Sequence, residues 1–518
     1  MSSIGPEGAT GDRRRSPDRP AERRRTATGV AAAVLVVAVA AMVAWFPGRS
    51  DVGRTRVLRA PLSAAVGAEG GSWYCAVRDI GAGDETFDHT VLISATGEVE
   101  TNLRIEGFSS EEQVASSELA VDPGSTTAVD VADTLGAAAL SVMVEADGPV
   151  VVEHRITQPA GADQAPCSTF SSDTWYFPTA VTTRDATATL NLFNPFPGDA
   201  SVNIEVALET GVRIPDELNG LVVPARSTLV VDLGAQVERR EQFAFTVATR
   251  SGGVVAELAQ RFDGSLEERP VRGLRLVPGS RRAAPGWSFA GGFADPSALE
   301  RLAVLNPGEP EVDLLAQPVV SGATDVLPEP FSMTAPALRF ATVDLDADSR
   351  VPVTGFHAID VEAAGRRGVV AARSLDITGV PEDAEGVRAT IEGGTTASPG
   401  VSVAARDWLV TGLQRGSSID GVVFVHNPGT EAAVVTLRSA LGEDQGEPVE
   451  YELPGGDVVG VGLEALGGGA EPFAVSVRAE APVVVERLLV FTSVEDISLH
   501  PGVPILATLE DLETLGAG

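Results

Sequence analysis

The hydrophobic pattern divides the chain into a polar start, one long apolar run, and several hundred residues of short alternating stretches. The apolar run extends from Gly29 to Phe46 and contains eighteen uncharged residues, GVAAAVLVVAVAAMVAWF. A helix of that length is roughly 27 Å long, close to the hydrocarbon thickness of about 30 Å. We therefore predict a transmembrane helix over residues 29–46, through which the protein contacts the membrane.

The flanks of this run predict its orientation. Residues 1–28 contain seven Arg and four acidic residues and read as a disordered basic cytoplasmic tail. Residues 47–60 form a short stalk, and the rest of the chain is expected outside the cytoplasm. The alternative is a cleaved signal peptide, which would make the protein secreted.

Beyond the stalk the pattern predicts β-strands. Stretches such as SVNIEV at 201–206 and AAVVTL at 432–437 alternate apolar and polar residues, which is typical of strands with one buried face. Gly and Pro separate these stretches at short intervals. The expected fold class is all-β.

Tryptophans mark an internal repeat. Trp73, Trp175, Trp287 and Trp408 are spaced 102, 112 and 121 residues apart and are expected to lie in the repeat core. In three of the copies an apolar strand runs into an Asn-Pro pair, with the Asn 19 residues after the Trp. The pairs, predicted to form turns, are Asn194-Pro195, Asn306-Pro307 and Asn427-Pro428.

These spacings predict about four tandem immunoglobulin-like β-sandwiches, since each copy has the length and strand density of that fold. The expected units are 61–160, 161–280, 281–395 and 396–518. They could be arranged end to end or as an array that closes into one body.

A third recurring element closes each unit. Glu153, Glu257 and Glu486 end runs of valine and alanine, whereas Ala372 interrupts the set. Arginines nearby, at 155, 373 and 487, favour structural ion pairs over a recurring site.

The two cysteines, Cys75 and Cys167, both follow the apolar run, and an oxidising compartment would let them pair. Closing a loop of 92 residues stabilises by about 4–5 kcal/mol in the chain-entropy model. We expect the disulfide to tie the first unit to the approach to the second rather than to join two sheets. Two free buried thiols are the alternative.

Composition narrows the functional classes. The formal net charge is −34, so general nucleic-acid binding is not expected, because neutralising phosphates needs basic patches. The five histidines show no metal-ligand spacing, and no catalytic or phosphate-binding motif is found. We therefore expect no cofactor, no metal and no enzymatic activity.

The basic tail, the single apolar run, the Trp73-Tyr74-Cys75 start and the strands ending in Asn-Pro resemble a family of large actinobacterial secreted or membrane-anchored proteins of unknown function. The resemblance covers most of residues 29–500 and implies an envelope location without catalytic residues.

The leading functional hypothesis is a non-enzymatic envelope scaffold or adhesion element with an envelope protein or glycan as partner; the oligomeric state is left open. One alternative is an accessory protein of cell-wall polysaccharide assembly, which exposed tryptophans in a cleft would favour. Another is an unrecognised hydrolase, which acidic residues and a histidine in one pocket would favour.

Overall fold

Stretches of alternating apolar and polar residues form β-strands, and all but one of the strand pairings among the described residues are antiparallel. The computed structural model describes residues 65–66, 70–81, 83, 86–292, 294–322, 328–345, 350–351, 356–381, 386–441 and 444–506. Within these residues the fold is all-β, with several antiparallel sheets, as predicted. We divide the strands into four modules, each containing one of the tryptophan-bearing strands.

A short strand, β1 (Ala65–Val66), precedes module 1. The strands of module 1 are β2 Gly71–Cys75, β3 Asp88–Ala95, β4 Thr101–Phe108, β5 Gln113–Val121, β6 Thr126–Asp130, β7 Ser141–Ala146, β8 Val150–Gln158 and β9 Gly161–Pro166. A helix, α1 (Val131–Leu135), follows β6. The side chain of Asp130 caps its start by accepting from the backbone N–H of Asp133, and Gly136 ends it at φ 87°.

The strands of module 2 are β10 Thr174–Ala180, β11 Ala186–Asn194, β12 Ala200–Leu208, β13 Gly211–Arg213, β14 Asn219–Val223, β15 Ser227–Asp232, β16 Phe243–Ser251, β17 Val255–Asp263 and β18 Arg272–Pro278. Those of module 3 are β19 Gly286–Phe289, β20 Ala298–Leu305, β21 Val312–Val320, β22 Phe331–Ala335, β23 Phe340–Asp344, β24 His357–Ala363, β25 Val370–Ile377 and β26 Gly394–Pro399.

The strands of module 4 are β27 Ala405–Leu413, β28 Ile419–Asn427, β29 Ala433–Leu441, β30 Asp444–Gln445, β31 Val449–Leu453, β32 Asp457–Gly462, β33 Phe473–Phe491, β34 Asp496–Pro501 and β35 Val503–Leu506. Single 3-10 turns occur at Asp216–Leu218, Ala364–Arg366 and Gly386–Thr390.

Modules 1 to 3 each contain two sheets with the same strand order. The first sheets run β2-β7-β4-β5, β10-β16-β12-β13 with β14 also on β12, and β19-β24-β21-β22. The second sheets run β6-β3-β8-β9, β15-β11-β17-β18 and β23-β20-β25-β26. Apolar side chains from both sheets form one core in each module, which is the arrangement of a β-sandwich.

Module 4 differs because one long strand serves both of its sheets. The first half of β33 pairs with β27 and β29, and its second half pairs with β28 and β34. The module's core is again continuous. Two-residue β1 pairs in parallel with β35, so the start and the end of the described chain lie side by side.

The last strand of each second sheet packs against its counterparts. Strand β9 contacts β18 and β34, and β26 contacts the same two strands. These four strands, which we call the hub, are almost completely buried. The modules therefore form a closed ring around the hub, with module 4 next to module 1.

No helix of the described residues combines the length and apolarity needed to cross a membrane. The predicted span at 29–46 lies outside the described residues. The tail, the span and the stalk therefore remain predictions, as do the proposed unit boundaries.

Candidate functional site

The tryptophans lie on the first strand of each module and are buried. Their exposed fractions are 2% for Trp73, 0% for Trp175, 5% for Trp287 and 2% for Trp408. Three of the indoles donate to the backbone oxygen of a valine in the valine-rich run that includes the glutamate position of the same module. These bonds join Trp175 to Val254, Trp287 to Val369 and Trp408 to Val483. The tryptophans therefore join strands within modules and form no exposed aromatic platform.

The three asparagines of the Asn-Pro pairs share a hydrogen-bonding pattern. Asn306 donates to the carbonyl oxygens of Pro310 and Ala335 and accepts from the N–H of Gly308. Asn194 and Asn427 make the matching contacts. All three are buried, at 0–1% exposure. Each side chain thus holds the turn that begins at its proline (Pro195, Pro307 or Pro428) against a later strand.

Cys75 and Cys167 form a disulfide, but not the junction the sequence analysis expects. Cys75 ends β2 in the first sheet of module 1. Cys167 follows β9 and continues the second sheet, since its N–H donates to the carbonyl of Val152. Both sulfurs lie in the core of module 1, so the bond joins the module's two sheets. The expectation of an inter-unit tie is wrong, because the strand before Cys167 pairs with β8.

The same two positions hold different residues in modules 2 and 3. Phe177 and Phe289 replace Cys75, while Gly279 and Gly400 replace Cys167. A Cβ added to Gly279 would lie 2.7 Å from Cζ of Phe177, and one added to Gly400 would lie 2.7 Å from Cζ of Phe289. In modules 2 and 3, a phenylalanine ring packed against a glycine therefore takes the place of the disulfide.

One carboxylate lies at the centre of the hub. Asp496 begins β34, where the other three hub strands have Gly161, Gly273 and Gly394 at the matching position. A Cβ at any of these glycines would come within 2.3–2.7 Å of Asp496 atoms. The glycines therefore leave the space that the Asp496 side chain fills.

Asp496 accepts an equivalent backbone N–H from every module. The donors are Ala162, Leu274, Thr395 and Ile497, at 2.8–2.9 Å. Complete burial raises the pKa of Asp496 well above that of a free aspartate, and the N–H groups of Thr395, Leu274 and Ile497 act against that shift. The carboxylate thus links all four modules at their common axis.

Side chains of neighbouring modules also occupy the open edges of the hub strands. The N–H of Leu276 donates to Asp163 Oδ2, that of Leu499 to Thr396 Oγ1, and that of Gln164 to Ser498 Oγ. In each case the acceptor belongs to the preceding module around the ring. Backbone groups that an edge strand would leave unpaired are thereby satisfied.

The recurring glutamates form ion pairs between modules. Glu257 lies 2.9 Å from Nε2 of His154, Glu486 lies 2.9 Å from Nη2 of Arg373, and Glu153 pairs with Arg487. Every one of these side chains is buried. In its own module, each of these bases directly follows the glutamate position. At all three junctions, therefore, the glutamate of one module pairs with the base of the preceding module.

The junction between modules 2 and 3 departs from this rule. Ala372 replaces the glutamate, and Leu258 stands at the position of the base. Arg275 instead pairs with Asp376 and donates from Nε to Thr395 Oγ1 at 2.7 Å. Burial opposes ionisation of Asp376, but Arg275 and Arg269 outweigh it and lower the pKa of that carboxyl.

Two of the ion pairs extend into matched triads. In module 1, His89 Nε2 lies 3.3 Å from His154 Nδ1, and His154 continues to Glu257. In module 3, Glu300 and Arg373 stand at the positions of His89 and His154, 3.5 Å apart, and Arg373 continues to Glu486. Burial and His154 lower the pKa of His89 to about 3, so its imidazole is neutral.

These contacts determine what the arrangement can do. All five histidines are 0–2% exposed. His154, His357, His426 and His500 each lie against an Asp or Glu side chain, and the ionisable partner of His89 is His154. No set of three or more potential metal ligands occurs among the described residues. Acidic residues and histidines do converge, but they do so inside the protein and join modules.

Sequence reasoning missed the hub, although a signal was present. The hub segments share a six-residue pattern that starts with Gly, or Asp in module 4, and ends with Pro: Gly161–Pro166, Gly273–Pro278, Gly394–Pro399 and Asp496–Pro501. Arg155 was expected near the ion pairs, but it binds Gln164 and the carbonyl of Gly412 instead.

Comparison with known proteins shows that part of the chain is similar to a described family. Eighteen chains of solved structures match, among them the crystal structure of Thermotoga maritima 1070, which is 15% identical, covers 23% of this chain and 94% of its own, and has a TM-score of 0.18. No curated protein matches. Residues 159–351, from the end of module 1 into module 3, are similar to a family described as a family of unknown function, DUF5719, as the resemblance to such a family led us to expect.

Proposed function

We propose that the protein is a non-enzymatic, membrane-anchored envelope scaffold, in which a ring of four immunoglobulin-like modules derived from one ancestral unit presents its outer sheets to an envelope partner. The observation that carries the proposal is the closed hub. The buried ionisable groups that converge there join one module to the next, which gives a rigid support rather than a solvent-accessible reaction centre.

The first sheet of each module supplies the presenting surface. The second sheets provide the hub strands, and the first sheets alternate buried and exposed residues, as sheets with one solvated face do. Exposed apolar side chains recur on these sheets: Val114 on β5, Val222 on β14, Leu315 on β21 and Val434 on β29, with exposed fractions of 39–56%. Such side chains suit contact with a protein partner.

The scaffold role is tested by proximity labelling in cells with the labelling enzyme fused after Gly518. We expect enrichment of envelope proteins over a secreted control in which a cleavable signal peptide replaces residues 1–46. The variant Val222→Glu/Leu315→Glu should lose that enrichment, while Val99→Glu, at a 71% exposed position, should keep it. Equal labelling by the full chain and the secreted control would contradict the proposal.

The anchor is tested separately with reporter fusions. Alkaline phosphatase, which is active only outside the cytoplasm, should be active when fused after residue 60 and inactive when fused after residue 28. Membrane-bound full-length chain indicates an anchor, whereas recovery of the body in the medium would show a cleaved signal peptide and overturn the anchored form.

A further inference from the structure

A small cavity lies at the proline end of the hub. It has a volume of about 50 Å³, and its wall includes Pro166, Pro399 and Pro501, which end three of the four hub strands. The side chains of Trp287 and Trp408 also line it. A cavity of this volume accommodates a few water molecules or one small polyatomic group.

Two consecutive arginines, Arg281 and Arg282, give this apolar wall its charge. They follow β18, and the matching positions after the other hub strands are Thr169 and Phe170, Ser402 and Val403, and Pro504 and Ile505. Two adjacent cations in a partly buried position are unexpected in a chain with a net charge of −34, because they repel each other.

Arg281 is held in place but incompletely bonded. Its guanidinium carbon lies 4.0 Å from the centroid of the Phe170 ring. Its Nε and Nη1 atoms are buried, and no described protein group accepts a hydrogen bond from them. Burial and Arg282 lower the pKa of Arg281 to about 10, and Asp173 acts in the opposite direction.

Buried N–H groups are nearly always satisfied, and leaving one unpaired costs about 1–3 kcal/mol, more when the group is charged. An anion in the cavity that Arg281 and Arg282 line would place an acceptor beside the guanidinium groups and offset the repulsion between the two arginines. The apolar remainder of the wall, formed by proline and indole rings, suits a small apolar body attached to that anion.

We propose that the cavity at the proline end of the hub is a binding site for one oxyanion per chain, a carboxylate or a phosphate group, with Arg281 as its main hydrogen-bond donor. The site goes beyond the scaffold role and does not depend on it. Since the charged residues occur after one hub strand only, the stoichiometry is one.

The test is titration calorimetry of the full-length protein with sodium acetate and, separately, inorganic phosphate, at ionic strength matched with chloride. We expect saturable 1:1 binding of at least one anion, and the two arms separate a carboxylate from a phosphate source. Arg281→Gln should weaken binding by about tenfold or more, equivalent to about 1.4 kcal/mol. Arg239→Gln, at an exposed position away from the cavity, should bind like the parent.

The variant Arg281→Lys guards against a folding artefact, because it keeps the charge but not the planar donor set. Intermediate affinity with unchanged circular dichroism supports the proposal. Binding of neither anion above the chloride control, or equal binding by the parent and Arg281→Gln, would overturn it.

Discussion

Modules 1 and 3 share a strand order but fill the same positions with different chemistry. Module 1 joins its sheets with Cys75–Cys167, where module 3 sets Phe289 on Gly400. At the position where module 1 places Glu153, module 3 has Ala372.

The partners change together with these residues. The base paired with Glu153 is Arg487, whereas the matching position opposite Ala372 is Leu258. Likewise the His89–His154–Glu257 triad becomes Glu300–Arg373–Glu486. Buried positions tolerate many residues, provided that the facing position is exchanged in the same step, because an unmatched buried charge is strongly destabilising.

The largest loss of stability should come from replacing Glu153 of module 1 by alanine, as in Ala372 of module 3, while keeping Arg487 opposite it. Glu153→Ala leaves the guanidinium of Arg487 buried without its carboxylate, which should lower the free energy of unfolding by about 3–5 kcal/mol. Urea unfolding followed by tryptophan fluorescence measures this. The double variant Glu153→Ala/Arg487→Leu copies the Ala372–Leu258 combination and should regain most of the loss. A double variant no more stable than the single would refute the matched-partner rule.

Removal of the disulfide should come next. Cys75→Ala/Cys167→Ala should destabilise by about 2–4 kcal/mol, since both the cross-link and core packing are lost. Cys75→Phe/Cys167→Gly, which copies module 3, should be more stable than the alanine pair. Dithiothreitol should lower the urea midpoint of the parent protein and leave both variants unchanged; a parent protein insensitive to reduction would argue against a stabilising bond.

A smaller effect is expected from crowding the corresponding contact in module 3. Gly400→Ala places a methyl group 2.7–3.0 Å from the Phe289 ring and should cost about 1–3 kcal/mol. Phe289→Leu/Gly400→Ala should lose less than the two single changes added together, which a double-mutant cycle of urea midpoints tests. Simple additivity would mean that the ring and the glycine do not interact.

The smallest effect concerns the triads. His89 has a folded-state pKa of about 3, below the unfolded value near 6.5, so only the unfolded chain gains a proton between these pH values. Stability from this group is therefore present above pH 6.5 and is lost as the pH falls, by about 1.4 kcal/mol between pH 7.5 and 5.5. Urea midpoints across this range should show a flatter profile for His89→Gln; an unchanged profile would exclude His89 as the source.

The strands and turns of this fold can be predicted from the sequence, but the contacts that join the modules cannot. Alternation and Gly/Pro turns indicate strands because each depends on neighbouring residues, and the all-β class followed from them. The hub joins residues such as Gln164 and Ser498, separated by 334 positions. Strand patterns carry no information about such distant partners, so the glutamates could be recognised as structural while their pairing across modules could not.

The closed ring has a consequence for how the chain folds. Its last junction brings Asp163 and His500 together across 337 residues, and contacts this distant form slowly because a long loop must close first. The four backbone N–H groups around Asp496 cannot all be in place until β34, the last hub strand along the chain, has been made. Until then, the hub strands of the earlier modules have an unpaired side. Packing of β34 against β9 and β26 is therefore the step that joins the separate sandwiches into one cooperative unit.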